Sequence, residues 1–260
     1  MDEVNDPLVR YYTTEYDEAQ RLVLTPHGRL ELLRVRQLLR RKLPAPPIRI
    51  LDVGGGPGVH ARWLVEQGYQ VKLVDVIERH IEEARDSGLD AELGDAVELD
   101  DPDESFDAVL MLGPLYHLPD AVERARALHE GFRVVRRGGP VLIAAISRFA
   151  GLLDLGLNGP WDDDTATKFE AEILSGDHDS SLGFTQAYFH RPEELRTEVE
   201  AAGFVDVEVL AIEGPMGHAV DLAPDPGEAI ARAVEVVSLT ETEPALLAAS
   251  PHLLAVGHRP

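Results

Sequence analysis

Ile48-Arg-Ile-Leu-Asp-Val-Gly-Gly-Gly-Pro-Gly-Val-His60 reads as a buried strand that stops in a glycine-rich turn and restarts as a helix. Ile48, Ile50, Leu51 and Val53 supply the near-continuous apolar run of a parallel strand covered on both faces. Gly54, Gly56 and Gly58 form a turn without Cβ atoms, where a ligand can lie against backbone. Helical spacing resumes from Val59 to Glu66, and the first amides of that helix point at whatever sits over the glycines. This is the layout of a nucleotide-type cofactor site. Asp52, just before the turn, narrows the type: a carboxylate there repels a pyrophosphate and suits a cation. The spacing Gly54-x-Gly56-x-Gly58 also departs from the Gly-x-Gly-x-x-Gly of dinucleotide sites.

Four further segments follow in order. Val71-Lys-Leu-Val-Asp75 is a short apolar strand ending in a carboxylate, whose two acceptor oxygens suit a vicinal diol, in NAD or in another nucleoside. Ala91-Glu-Leu-Gly-Asp95-Ala96 places a third acid after a third strand. Ser105-Phe-Asp-Ala-Val-Leu-Met-Leu-Gly-Pro-Leu-Tyr-His117 is a fourth strand running into a turn, and Arg137-Gly138-Gly139 leads into the apolar Pro140–Ile146.

Taken together, these five segments resemble the class I S-adenosylmethionine-dependent methyltransferases. The resemblance implies an α/β fold with a doubly wound, Rossmann-like seven-stranded sheet and an antiparallel C-terminal strand pair. It implies S-adenosyl-L-methionine as cofactor. Asp52, Gly54, Gly56 and Gly58 would form the first cofactor motif and Asp75 would meet the ribose hydroxyls. Asp95 and the Ala96 amide would meet adenine, with Leu112 a further contact on the fourth strand. The phrases Phe184–Leu195 and Ile212-Glu-Gly-Pro215 resemble bacterial small-molecule enzymes of the ubiquinone/menaquinone-methylase-like group.

Composition bounds the function. The chain has 260 residues and no cysteine, with Asp+Glu at 47 against Lys+Arg at 24, a net charge of −23. A disulfide framework and thiolate metal sites are excluded. Nucleic-acid binders draw affinity from cations over phosphates, so this balance argues against a nucleic-acid acceptor, and against an acidic membrane surface. Met1-Asp-Glu-Val-Asn-Asp6 is no secretory signal and no apolar run spans a bilayer, so a cytoplasmic protein is expected. The basic stretch Arg29–Lys42 reads as the solvated face of an amphipathic helix.

A single domain, 1–260, is expected. An N-terminal arm with Tyr11, Tyr12 and Tyr16, then a helix from about Gly28 to Leu43, occupy 1–47. The cofactor-binding core occupies 48–147, with helices near 59–67, 78–87 and 120–136. Segments 148–190, with a helix near 164–174, and 216–249 are expected to cover the substrate. Between them lie a helix from Arg191 to Ala202, with Pro192 and Gly203 as boundaries, and a strand from Phe204. Leu253–His258 is the final strand.

Methyl transfer from a sulfonium mainly needs alignment, worth roughly 7–11 kcal/mol. A general base adds ~10²–10⁴-fold where the acceptor proton leaves near the transition state. His117, at the fourth-strand end, is the base candidate, with Tyr116 as a second catalytic candidate or a wall to the cofactor. His190 and His218 read as structural, and Tyr11 and Tyr12 either as a lid over the cofactor or as part of a packed N-terminal arm. No metal is expected: Gly113-Pro114-Leu115 lacks the acidic cluster of catechol-type enzymes, and Asp162–Asp164 and Asp177-His178-Asp179 read as solvated loop acids. The expected acceptor is a small organic molecule, at oxygen or nitrogen in preference to carbon. A cyclase or isomerase binding the same cofactor without transfer stays open, and an NAD-dependent oxidoreductase is disfavoured by Asp52, the glycine spacing and Asp95.

Overall fold

A computed structural model describes residues 7–12 and 22–260; Tyr16 and Met1–Asp6 lie outside them. Among the described residues, α1 (Pro7–Arg10) and α2 (Pro26–Lys42) precede the sheet. The alternating core follows as β1 (Arg49–Val53), α3 (Val59–Glu66), β2 (Gln70–Asp75), α4 (Glu78–Asp86), β3 (Asp90–Leu93), β4 (Ala108–Met111), α5 (Ala121–Val134) and β5 (Pro140–Ile146). After it come α6 (Ala150–Asn158), α7 (Asp163–Ser175), the short pair β6 (Asp177–His178) and β7 (Ala187–Tyr188), α8 (Pro192–Ala201) and β8 (Val205–Ala211). The last elements are α9 (Pro226–Thr240), α10 (Pro244–Leu247) and β9 (His252–His258). α6 adds to the expectation, which placed a helix only near 164–174 in the segment 148–190.

Seven strands form one sheet in the order β3-β2-β1-β4-β5-β9-β8. The first five are parallel, while β9 runs antiparallel to β5 and β8 antiparallel to β9. β4 and β5 are buried along their whole length, as central strands with helices on both faces must be. Alternation sorts their side chains between two layers. Leu51, Val53, Val109, Met111 and Ile143 face the layer of α5 and α8. Ile50, Leu110, Leu142 and Leu254 face α2 and α3, through Val35, Leu38, Leu39, Ala61 and Leu64. Among the described residues no helix is long and apolar enough to cross a membrane.

The basic stretch of α2 departs from the expected solvated face. Arg34 is fully buried. Its Nε donates to the Ile212 carbonyl at 2.8 Å and its Nη2 to Glu241 Oε2 at 2.7 Å and the Ala211 carbonyl at 3.3 Å. Arg41 joins the same carboxylate at 2.5 Å. The guanidinium carbons of Arg36 and Arg40 lie 5.4 and 5.0 Å from the centre of the Trp63 ring, over its face. The charge pattern alone does not separate a buried arginine from solvated ones. What separates them is that the β8 end leaves carbonyls uncapped against the helix, and the guanidinium fork satisfies them.

The segment 216–249 packs on α2 as well, with Leu30 meeting Val220, Ile230 and Ala233. Arg34→Ala strands the nearly buried Glu241 and two carbonyls. Urea denaturation is expected to show a loss of about 3–5 kcal/mol, and Arg34→Lys should recover only part, because one ammonium does not span three acceptors. A loss below about 1 kcal/mol would show that Arg41 carries the site alone.

Candidate active site

The carboxyl ends of β1, β2 and β4 open on a cavity of about 480 Å³, the size of a small-molecule site. Its floor is the glycine turn. Gly54 has φ of 66°, and a Cβ there would sit 2.7 Å from Pro114 Cδ, so only glycine lets the turn after β4 close on the turn after β1. Gly58, at φ 85°, caps α3, and a Cβ would lie 2.3 Å from Leu89. It lies behind the cavity and supplies no wall to it, whereas Gly54, Gly55 and Gly56 do.

Asp75 ends β2 and is 7% exposed. Its Oδ2 accepts the Gly56 amide at 2.8 Å and its Oδ1 the Ile77 amide at 2.9 Å, with His80 Nδ1 at 3.3 Å. The carboxylate thus shapes the glycine turn, and an ionised carboxylate keeps acceptor capacity for a diol after these bonds. Asp95 is exposed, accepts the Val97 amide at 3.1 Å, and lines the cavity with Ala96. Leu112, just beyond β4, lines it too.

Asp52 is different. It is 1% exposed, and its Oδ2 has no hydrogen-bond partner. Burial, reinforced by the charge of Asp75, pushes its carboxyl up to about 7. A buried carboxylate without a donor is costly unless a cation arrives. The lining as a whole carries the same sign: Glu31, Asp52, Asp75, Asp95 and Glu123, with no lysine or arginine among its described residues. That donor set fits a nucleoside carrying a sulfonium and an ammonium. It does not fit a pyrophosphate, which needs amides or cations aimed at it.

The fourth-strand turn, Pro114–His117, brings Tyr116 and His117 into the wall. Their rings are 4.6 Å apart. Tyr12 closes over them from beside α1: its hydroxyl is 2.9 Å from His117 Nε2, and its ring meets His80 edge-on at 5.5 Å. Tyr11 packs edge-on against Phe184 at 5.6 Å. His190 is fully buried against Glu198 at 3.1 Å, a structural position. His218 lies outside the cavity wall, beside His27.

Several wall residues were not read as site residues from the sequence: Glu31 and Val35 from α2, Ile212 after β8, and His252 at the start of β9. The signal for the last two was topological. β8 runs with the parallel strands and ends at their carboxyl edge, whereas β9 runs against them and begins there. Of the two segments expected to cover substrate, 148–190 contributes Thr185 and Gln186, and 216–249 contributes nothing to the wall.

The loop acids are structural: Asp162 caps α7 through the Thr165 amide, Asp164 pairs with Lys168, and Asp179 accepts the Ser181 amide. His178 is held by Glu172 at 2.5 Å. Two His/carboxylate groups converge elsewhere among the described residues, His27–His218–Asp221 and Glu31–Glu213–His252, each within 4.8 Å. In both, an imidazole Nδ1 lies 2.6 Å from a carboxylate oxygen, so a hydrogen bond accounts for the approach.

Asp52 gives a stability prediction. Its folded value, about 7, lies above the ordinary 3.8, so the folded state binds the proton more tightly. The ionised group therefore costs stability above pH 7, and the cost vanishes below about pH 4, where both states are protonated. Asp52→Asn should raise ligand-free stability at pH 8, by up to about 4 kcal/mol, and leave it unchanged at pH 4. Equal denaturant midpoints for the two proteins at pH 8 would contradict a stranded carboxylate.

Comparison with known proteins agrees with this layout. Residues 50–139 match the methyltransferase domain family. Methyltransferase GfsG of Streptomyces halstedii is 37% identical over 107 residues, 38% of this chain and 37% of that protein. The ubiquinone biosynthesis O-methyltransferase of Alkalilimnicola ehrlichii is 37% identical over 107 residues, 38% of this chain and 42% of that one. The chain thus spans about two-fifths of the length of these curated relatives. Among solved structures, an S-adenosylmethionine-dependent methyltransferase of Thermotoga maritima, described as a possible histamine N-methyltransferase, superposes with a TM-score of 0.60 at 23% identity, covering 98% and 99% of the two chains. The [4+2]-cyclase SpnF superposes at 0.56 with 20% identity, covering 88% and 80%. Residues 50–139 belong to the methyltransferase domain family, and the five ordered motifs and the strand order have the class I S-adenosyl-L-methionine-dependent layout.

Proposed function

We propose that the chain methylates a small organic acceptor at oxygen or nitrogen. The observation that carries the reading is the partnerless, fully buried Asp52 oxygen in a cavity lined by carboxylates. S-adenosylmethionine supplies an electrophilic methyl already activated by the sulfonium charge. Asp52 faces its cationic end, Asp75 takes the ribose hydroxyls, and Asp95 with the Ala96 amide takes adenine. Leu112 and Tyr116 wall the methyl side, and the remaining volume toward β9 takes the acceptor. The scarcity of cations argues against nucleic-acid acceptors.

The bond to Tyr12 revises the expected role of His117. Its Nε2 is engaged by the lid hydroxyl, so we assign His117 to latching Tyr12 over the cleft rather than to accepting a proton.

Ligand-free protein mixed with S-adenosylhomocysteine should melt at higher temperature, since a ligand of the native state stabilises it by mass action. NAD should give no comparable shift, and a larger response to NAD would overturn the reading. Labelled S-adenosylmethionine should yield a labelled product; cofactor binding without transfer would favour a cyclase or isomerase. Tyr12→Phe and His117→Ala should each weaken S-adenosylhomocysteine about 5–10-fold, the worth of one net hydrogen bond. Calorimetry of the double variant should show no further loss. Unchanged affinity in His117→Ala with turnover down ~10²–10⁴-fold would restore the base role.

A further inference from the structure

We propose that His252, held by Glu213, takes the proton from the methyl acceptor at the end of the cavity remote from Asp75. This rests on the methyl-transfer reading above.

The sheet dictates the placement. β9 opposes β5 with His252 facing Ile146, so its first residue stands at the carboxyl edge with the glycine turn. His252 shares a face with Leu254 and Val256, which join Ile50, Leu110 and Leu142 in the layer under α2. Asp52 is two residues past Ile50 and Ala144 two past Leu142. Asp52, Ala144 and His252 therefore lie on one face of the sheet, and all three line the cavity. Three strand steps of about 4.8 Å separate β1 from β9, roughly 14 Å in all. That span leaves room for a small acceptor between the Asp52 end and the imidazole.

Glu213 is 2% exposed. Its Oε1 lies 2.6 Å from His252 Nδ1 and its Oε2 accepts the His252 amide at 3.0 Å. The Ser250 hydroxyl accepts the Glu213 and Gly214 amides at 3.2 and 3.0 Å, and Arg34 holds the carbonyls just before them. The carboxylate is thus fixed from both flanks. Accepting Nδ1–H, it sets the tautomer with the lone pair on Nε2. It also stabilises the imidazolium formed once a proton arrives. With Nδ1 committed, proton exchange with a ligand runs through Nε2. Among the described residues, Glu31, whose Oε2 is 3.9 Å from Nδ1, and His218 also face the ring.

As the acceptor's nitrogen or oxygen lone pair bonds the methyl carbon, the carbon–sulfur pair stays on sulfur. The proton from that same N–H or O–H passes to His252 Nε2, and from there to solvent. His252 touches the acceptor; Glu213 is a positioning residue.

The test needs no acceptor. Long-range ¹H–¹⁵N imidazole spectra of the whole chain are recorded across pH with S-adenosylhomocysteine and with sinefungin, which carries an amine where the methyl would be. His252→Gln assigns the signal. Neutral His252 should be protonated on Nδ1, and should titrate about 0.5–2 pH units lower with sinefungin, because the added positive charge faces the imidazole across the acceptor space. Glu213→Gln should erase the tautomer preference, which a merely structural contact elsewhere would leave intact. If both ligands bind and His252 titrates identically in the two complexes, the proposal is overturned while methyl transfer stands. If neither binds, the reading beneath it falls and the proposal with it. A signal set by a divalent ion and reversed by EDTA also overturns it.

Discussion

Two carboxylates at the carboxyl ends of adjacent strands, Asp52 and Asp75, set the terms for the rest of the cleft. Asp75 is nearly buried yet well supplied with donors, and by accepting the Gly56 amide it shapes the glycine turn from the next strand. Asp52 is buried without a donor for one oxygen, and its neighbour's charge raises the cost of ionising it. A fold optimised for stability alone would not keep that arrangement. It makes sense as a socket for a positive charge. The excess of acid over base around the cavity extends the same field toward the acceptor.

The reversal of β9 between β5 and β8 is the second constraint. A purely parallel sheet brings only strand ends and following loops to its carboxyl edge. By running the other way, β9 brings its beginning there, and His252 with it. The end of β8 reaches the same edge and delivers Glu213. Arg34, buried under α2, ties the β8 end to the helix that roofs the cavity with Glu31 and Val35. The guanidinium therefore supports the carboxyl edge of the sheet although it lies outside the cavity.

The core was legible because each of its motifs is local. A strand, a glycine turn and an acid two residues before it lie within thirteen residues of sequence, and Asp75, Asp95 and Leu112 each follow a recognisable strand. The far end of the cavity was not. Glu31, Ile212 and His252 come from three elements that meet only through tertiary packing, and His252 looks in sequence like the residue before a strand. Arg34 shares a charge pattern with its solvated neighbours, and its burial follows from partners about 180 and 200 residues away. The contact made by His117 was hidden for a related reason: its position was readable, while the Tyr12 hydroxyl that engages it comes from 105 residues upstream.

The central claim is that Asp52 becomes the counter-charge of the bound cofactor. Titration calorimetry of S-adenosylhomocysteine at pH 7, in buffers of differing ionisation enthalpy, counts the protons exchanged on binding. Asp52 is about half protonated there in the free protein, so docking an ammonium against it should release roughly half a proton per site, and Asp52→Asn should release none. The same proton count in both proteins, or none in either, would contradict the claim.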